Sequence, residues 1–402
     1  MTDPRIERAI EEHLFAERLS RRRFLGRAGG SALALSSLSS VLAACGGVEG
    51  TEQKADRKPA EPQANHPRTE IGTWTFANWP LYVDKKVIRQ FDREFGGKAK
   101  YVEEINDNFQ FFGKVRQQLQ AGRPIDRDMV VLTDYMAARW VRSGWVEPID
   151  KRNVPNARNL VSNLETINYD PQRRYTLPWQ SGAIGIGYDI KRTGRELTSV
   201  KDLFDPEFKG KVTMLSEPYD SAGAVLLGDG VDFSKAKLDQ ILGAIERIGR
   251  ANESGQFRRF TGNDYTTDLA KGNAWVSLAY SGDLVQLQSD NPNLRFAYPE
   301  EGAVLFTDNM MMPLKVANPY AAETMMNYVY QPEVAAKIAA YVNYLSPVEG
   351  VREVLLGSDP KLAENELIFP PDDVRAKLRP YPALSPADER SMQEAMAKVT
   401  GA

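Results

Sequence analysis

From Gly72 onward the chain alternates short apolar runs with segments whose apolar residues recur every three or four positions. Thr73-Trp74-Thr75-Phe76 is β-branched and aromatic and predicts a strand. Asp84 precedes Val87, Ile88, Phe91 and Phe95, an amphipathic helix that Asp84 caps and Gly96-Gly97 stops. Residues 98–102 predict the next strand, and Phe111, Val115 and Leu119 mark another helix. Met129-Val130-Val131-Leu132 is a short continuous apolar run, as in a strand covered on both faces. Residues 137–141 are helical, and Gly144 ends them. This βαβαβ order predicts an α/β fold, a parallel or mixed sheet flanked by helices.

A second set begins near Gly182. Residues 211–215 predict a strand, 238–248 an amphipathic helix, 265–270 a helix and 274–279 a strand, with a further helix from Asp283. Met310-Met311-Met312-Pro313 reads as a strand whose methionines fill a core. Helices follow at 321–330 and 334–344, then a Pro-rich tail from Pro360 and a closing helix from about Pro386. Gly182-Ala183-Ile184-Gly185-Ile186-Gly187 alternates glycine with apolar residues, which fits a strand entering a core better than a phosphate cradle.

Ahead of this body, Ser20-Arg21-Arg22-Arg23-Phe24-Leu25-Gly26 is followed by a small-residue apolar run ending at Leu42-Ala43-Ala44-Cys45. A charged region before a short apolar one is a secretory signal, too short and too rich in Ser and Gly for a spanning helix. The arginine pair resembles the twin-arginine export motif. Leu-Ala-Ala-Cys resembles a bacterial lipobox, which implies cleavage before Cys45 and lipidation of its sulfur. Residues 1–44 are therefore expected to be a signal peptide. Residues 45–69 are expected to be the lipidated Cys45 and a flexible, Pro/Ala/Lys-rich tether. That places the protein outside the cytoplasm, in the periplasm or at the cell surface, anchored to a bacterial membrane.

Composition narrows the chemistry of the remaining body, which at roughly 330 residues exceeds a single core and predicts two lobes. A formal net charge of −3 gives no reason to expect nucleic acid and weakly favours cationic ligands. The two histidines are His13 and His66, and the one cysteine is Cys45, so the body holds neither type. Cys/His zinc sites, Cys–His nucleophiles and Ser-His-Asp triads are excluded. Carboxylate-only chemistry, as in glycosidases, stays open.

Several stretches together resemble one family, the spermidine/putrescine-binding proteins of bacterial ABC importers, within the type II periplasmic binding proteins. They are Phe76-Ala77-Asn78-Trp79-Pro80-Leu81-Tyr82-Val83, Asp128-Met129-Val130-Val131-Leu132-Thr133-Asp134-Tyr135, Tyr175-Thr176-Leu177-Pro178-Trp179 and Phe204-Asp205-Pro206-Glu207-Phe208-Lys209-Gly210. Ala279-Tyr280-Ser281-Gly282-Asp283, Tyr298-Pro299-Glu300-Glu301-Gly302 and Phe306-Thr307-Asp308 complete the set, which runs from about Gly72 to Gly350. The resemblance implies a monomeric two-lobe α/β fold without cofactor or metal, not an enzyme. It binds a polyamine between lobes joined by crossing strands and delivers it to a membrane permease. Crossovers near Gly182 and Tyr280 give a first lobe of 70–181 plus 280–330 and a second of 182–279 plus 331–402.

The resemblance also implies a site. Trp79, Thr133, Tyr135, Glu217, Asp220, Tyr280, Asp283 and Asp308 fall at ligand-contacting positions of the family. A polyamine suits such a set: carboxylates meet its ammonium groups and aromatic faces its methylenes and cations. Each residue has a plainer use. Asp220 and Asp283 suit helix N-caps, Trp79 a core, Tyr280 hinge packing and Glu217 a solvated surface. Pro80 and Leu81 depart from the family, which offers hydroxyl and acidic residues there, and Tyr280 stands where Trp is common. Other readings are a different small cationic or organic solute, an exported carboxylate-dependent enzyme, and a structural surface lipoprotein.

Overall fold

The computed structural model describes residues 64–401, so the signal, Cys45 and most of the expected tether lie outside the described residues. The strands that organise the body are β1 (Gly72–Asn78), β2 (Gly97–Glu103), β3 (Met129–Thr133), β4 (Val146–Glu147), β5 (Thr176–Asp189) and β6 (Val212–Leu215). They are joined by β7 (Phe257–Thr261), β8 (Val276–Tyr280), β9 (Leu294–Ala297), β10 (Ala303–Pro313) and β11 (Leu378–Arg379). The helices used below are α1 (Lys85–Phe95), α2 (Asn108–Gln120), α3 (Asp134–Arg142), α4 (Pro218–Gly228), α5 (Leu238–Glu253) and α6 (Tyr265–Lys271). They continue with α7 (Ser281–Gln288), α8 (Pro319–Val329), α9 (Pro332–Val342) and α10 (Pro386–Thr400).

All strands share one mixed sheet, in the order β2-β1-β3-β10-β5-β8-β6-β7, with β4 and β11 on β10 and β9 on β5. The β1–β2 and β1–β3 pairs are parallel, as are β6–β7 and β6–β8, so each half repeats a parallel βαβ unit. Two long antiparallel strands join the halves. The first part of β5 pairs with β10, and from Ile184 to Tyr188 it pairs with β8. All fourteen residues of β5 are buried, which explains its unbroken apolar and glycine pattern. The second change of half falls on β10 rather than at Tyr280. Tyr280 ends β8 inside the second half, and β9 still pairs with β5 through Ile186–Asp189. A strand end is visible in sequence, but the partner that a strand takes is not a local property.

Local chemistry explains the elements. Asp84 accepts the Lys86 backbone N–H, and Gly96 closes α1 at φ 71° in the left-handed region. Val87, Ile88 and Phe91 face inward, and each large apolar side chain so buried contributes about 1.5–3 kcal/mol. Met310 and Met311 are fully buried beside β3 and Met312 beside β4, as core methionines should be. At the chain's end, Glu389 of α10 accepts from Arg139 (2.9 Å) and Arg142 (2.7 Å) of α3, tying that helix back to the body.

The last residues of the expected tether are held. The His66 backbone N–H donates to Asp150 Oδ2 (3.1 Å), its carbonyl accepts from Asn153 Nδ2 (2.9 Å), and its Nδ1 lies 2.6 Å from Glu323 Oε1. Glu323 on α8 is fully buried, and His66 joins Asp150 N–H and Asn153 in satisfying it. A buried carboxylate needs such donors, so the body's grip on the chain begins before residue 69.

Candidate ligand-binding site

The fold delivers acids and tyrosines to strand ends and to the helix starts that follow them, where open α/β sheets hold ligands. Thr133 ends β3 and Tyr135 lies in the first turn of α3. Glu217 is the N-cap position of α4, just past β6, and Asp220 is in its first turn. Tyr280 ends β8, and Asp283 lies in the first turn of α7. Asp308 is on β10 opposite Thr133. Acidic side chains at the starts of α4 and α7 gain modestly from the helix dipole.

Each acid is held by hydroxyl groups. Asp308 accepts from Tyr82 OH at Oδ2 (2.8 Å) and from Thr133 Oγ1 at Oδ1 (2.7 Å). Asp220 accepts from Tyr280 and Tyr381, both at 2.7 Å. Asp283 accepts from Tyr265 (2.7 Å) and Tyr344 (2.8 Å). Glu217 accepts from Tyr135 OH (2.7 Å). Asn108, the first residue of α2, donates to both Thr133 Oγ1 (2.9 Å) and Tyr135 OH (2.8 Å), linking the Asp308 and Glu217 branches. Aromatic contacts close the circuit: Tyr135 against Tyr381 at 5.3 Å, Tyr280 against Phe306 at 5.4 Å, Phe306 against Tyr344 at 5.8 Å, and Tyr344 against Tyr82 at 5.6 Å. Gly182 and Gly282 seat Tyr344, because a Cβ on either would lie within 2.8 Å of its ring.

The electrostatics of this cluster are lopsided. Glu217, Asp220 and Asp308 are buried and Asp283 is partly buried. No Lys, Arg or His among the described residues neutralises any of the four. Burial pushes Asp308 up to about 7, against the pull of its Thr133 and Tyr82 hydrogen bonds, with Asp134 and Asp220 adding repulsion. Burial likewise raises Asp220 to about 6, while the Tyr280 and Tyr381 hydroxyls pull it down. Asp283 is raised by burial, and Glu217 well above the carboxylate range by burial and by the charges of Asp107 and Asp220. Two other buried acids do have cations of the chain beside them, Glu389 with two arginines and Asp268 with Arg259. The cluster is a group of four acids without a counter-cation among the described residues, walled by phenol rings.

Seven of the eight residues singled out from sequence share this cluster. Asp220 and Asp283 do not cap their helices with their side chains, and Glu217 is 6% exposed, so it is no solvated acid. Trp79 stands apart: it is partly buried, and its Nε1 donates to the Val131 carbonyl (3.1 Å). Sequence reasoning missed Asn108, Tyr265, Tyr344 and Tyr381. It quoted Tyr82 and Phe306 only as parts of longer stretches. Tyr265, Tyr344 and Tyr381 lie in a helix, a loop and the irregular tail. Nothing local in the sequence marks these tyrosines as partners of the acids.

Crossing strands with a cluster of acids and tyrosines at their junction are the arrangement of a solute-binding protein, and the family profile agrees. The family profile of bacterial extracellular solute-binding proteins matches residues 86–370, and the chain belongs to that family. Among curated proteins it is 28% identical over 342 residues to the putrescine-binding periplasmic protein PotF of Escherichia coli, covering 80% of this chain and 90% of that one. It is 27% identical to the putrescine-binding periplasmic protein SpuD of Pseudomonas aeruginosa, covering 89% and 96%. Among solved structures, the Tp0655 (TpPotD) lipoprotein of Treponema pallidum superposes with a TM-score of 0.71 at 16% identity, covering 82% of this chain and all of that one. The spermidine/putrescine ABC transporter substrate-binding protein PotD of Streptococcus pneumoniae superposes with a TM-score of 0.69 at 20% identity, covering 82% and 99%. These superpositions carry the two-lobe, type II periplasmic binding fold. Among the described residues no helix is long and apolar enough to cross a membrane.

Proposed function

We propose that this protein captures a polyamine, putrescine or spermidine, outside the cytoplasm and delivers it to the permease of an ABC importer. One observation carries the reading: four buried or partly buried carboxylates converge with no cation of the chain to neutralise them. A flexible chain of methylenes bearing several ammonium groups supplies what is missing. Each charge-assisted hydrogen bond contributes on the order of 1.5–3 kcal/mol, and each cation–π contact about 0.5–2 kcal/mol. Micromolar binding needs about 8 kcal/mol net, so two or three acids and two rings suffice after the cost of association. The names of PotF and SpuD support the same ligand class.

Trp79, Thr133, Tyr135, Glu217, Asp220, Tyr280, Asp283 and Asp308 form the proposed contact set, with Tyr82, Phe306, Tyr344 and Tyr381 added from the geometry. Residues 70–181 belong to the first lobe and β6–β8 to the second, with the exchange made on β5 and β10. The working form is a monomer held to the membrane through lipidated Cys45. Thermal shift tests the ligand class. Putrescine and spermidine should raise the melting temperature, whereas equal concentrations of neutral sugars and acidic amino acids should not. A response to monoamines equal to that of polyamines would point to a different cationic solute.

A further inference from the structure

We infer that Gln180 is a further ligand-contacting residue that sets specificity: its side-chain carbonyl, together with Asp308, receives the N–H groups of one ammonium of the bound polyamine. The inference rests on the polyamine reading and adds a neutral acceptor to it.

The register places the residue. On β10, Asp308 lies opposite Thr133 of β3 on one side and opposite Gln180 of β5 on the other. Directly opposed residues on neighbouring antiparallel strands share a face, and the 2.7 Å bond from Thr133 to Asp308 shows that this face is the acid cluster's. Gln180 therefore completes a row of three across the sheet. A register shift makes this so. Asn309 faces Pro178 while Asp308 faces Gln180, so Trp179 is an extra residue on β5. Strand side chains alternate faces, and one inserted residue re-aims those beyond it.

The second observation is the side chain itself. Gln180 is 2% exposed, and its Oε1 has no hydrogen-bond partner among the described residues. Ser181 Oγ on one side lies 2.9 Å from Thr307 Oγ1, and the Pro178 carbonyl accepts from Tyr330 OH (2.7 Å), while Trp179 Nε1 is a second buried atom without a partner among the described residues. A buried acceptor left open beside a carboxylate calls for a donor. An ammonium carries two or three N–H groups, and each Asp308 oxygen already accepts one hydroxyl. Gln180 offers a fresh acceptor without adding a charge that would repel Asp308. A tertiary ammonium keeps its charge but only one N–H, too few for both acceptors, so this pair reads N–H count as well as charge.

Calorimetric titration of Gln180→Leu and, as a second neutral variant, Gln180→Met with putrescine and spermidine tests this. We expect binding about five- to tenfold weaker, with the ligand-free melting temperature unchanged or raised, because an unsatisfied polar atom has been removed. The wild type's preference for putrescine over its N,N,N′,N′-tetramethyl analogue should shrink in both variants. Variants binding within about twofold of wild type, or losing affinity in step with ligand-free stability, would overturn the inference. A wild type that gives no heat with either polyamine would instead refute the polyamine reading itself.

Discussion

Asp308→Asn separates what the acid does for the ligand from what it costs the empty protein. In the folded chain Asp308 is raised from 3.8 to about 7 by burial. A folded pKa above the unfolded one gives stability that is fully present below about pH 4 and is lost as pH rises through about 7. Above that pH the ionised form costs on the order of 4 kcal/mol relative to an unperturbed acid. Asparagine stays neutral throughout. It gives up one of the two acceptors that serve Tyr82 and Thr133, a loss of about 0.5–1.5 kcal/mol. The ligand-free variant should therefore match or slightly exceed wild type at pH 5, where the unfolded acid is already ionised, and exceed it by roughly 3 kcal/mol at pH 8.5. Scanning calorimetry of both proteins at several pH values reads the difference directly, since other ionisations cancel. The ligand reverses the order. Polyamine binding to the variant should weaken at least about tenfold. Wild-type affinity should rise about 10- to 100-fold from pH 5.5 to 8, and the variant should lose the part of that slope due to Asp308 while keeping the part due to the other raised acids. A stability difference between the two proteins that stays constant across pH would refute the argument that Asp308 is a buried acid awaiting a cation.

Three further outcomes follow from separate parts of the molecule. Gly282→Ala sets a Cβ about 2.7 Å from the Tyr344 ring, so it should displace the hydroxyl from Asp283 and weaken polyamine binding severalfold in a titration, with the fold retained. Glu389→Gln leaves Arg139 and Arg142 without their carboxylate and should lower unfolding free energy by roughly 2–4 kcal/mol in urea melts, with ligand affinity unchanged. Cys45→Ala should abolish lipid labelling and move the protein to the soluble fraction; retention after an alkaline wash would contradict the lipobox reading.

The fold was legible where its causes are local. Asp84 and Gly96 bracket α1 because capping and left-handed closure are written in adjacent residues. Met129–Thr133 and Met310–Met312 read as buried strands because every position in them is apolar or small enough to be covered. The junction of the halves was half legible. The glycine alternation around Gly182 marked β5, but the return on β10 depends on partner choice across the sheet. In the site, the acids stood out because the resemblance places them at ligand-contacting positions. Their hydroxyl partners did not, because Tyr344 and Tyr381 meet Asp283 and Asp220 only through contacts 61 and 161 residues apart in sequence.

The most direct test of the central claim is calorimetric titration of the wild-type protein, without its signal, with putrescine and with spermidine at pH 7. Two buffers of different ionisation enthalpy should be used. The four acids lack a cation, and Asp308 and Asp220 titrate near neutrality. The account predicts one ligand per chain, a dissociation constant of about a micromolar or tighter, and a heat that differs between buffers because binding expels protons from these carboxyls. No heat with either polyamine, or tight binding of a neutral or acidic solute in their place, would contradict it.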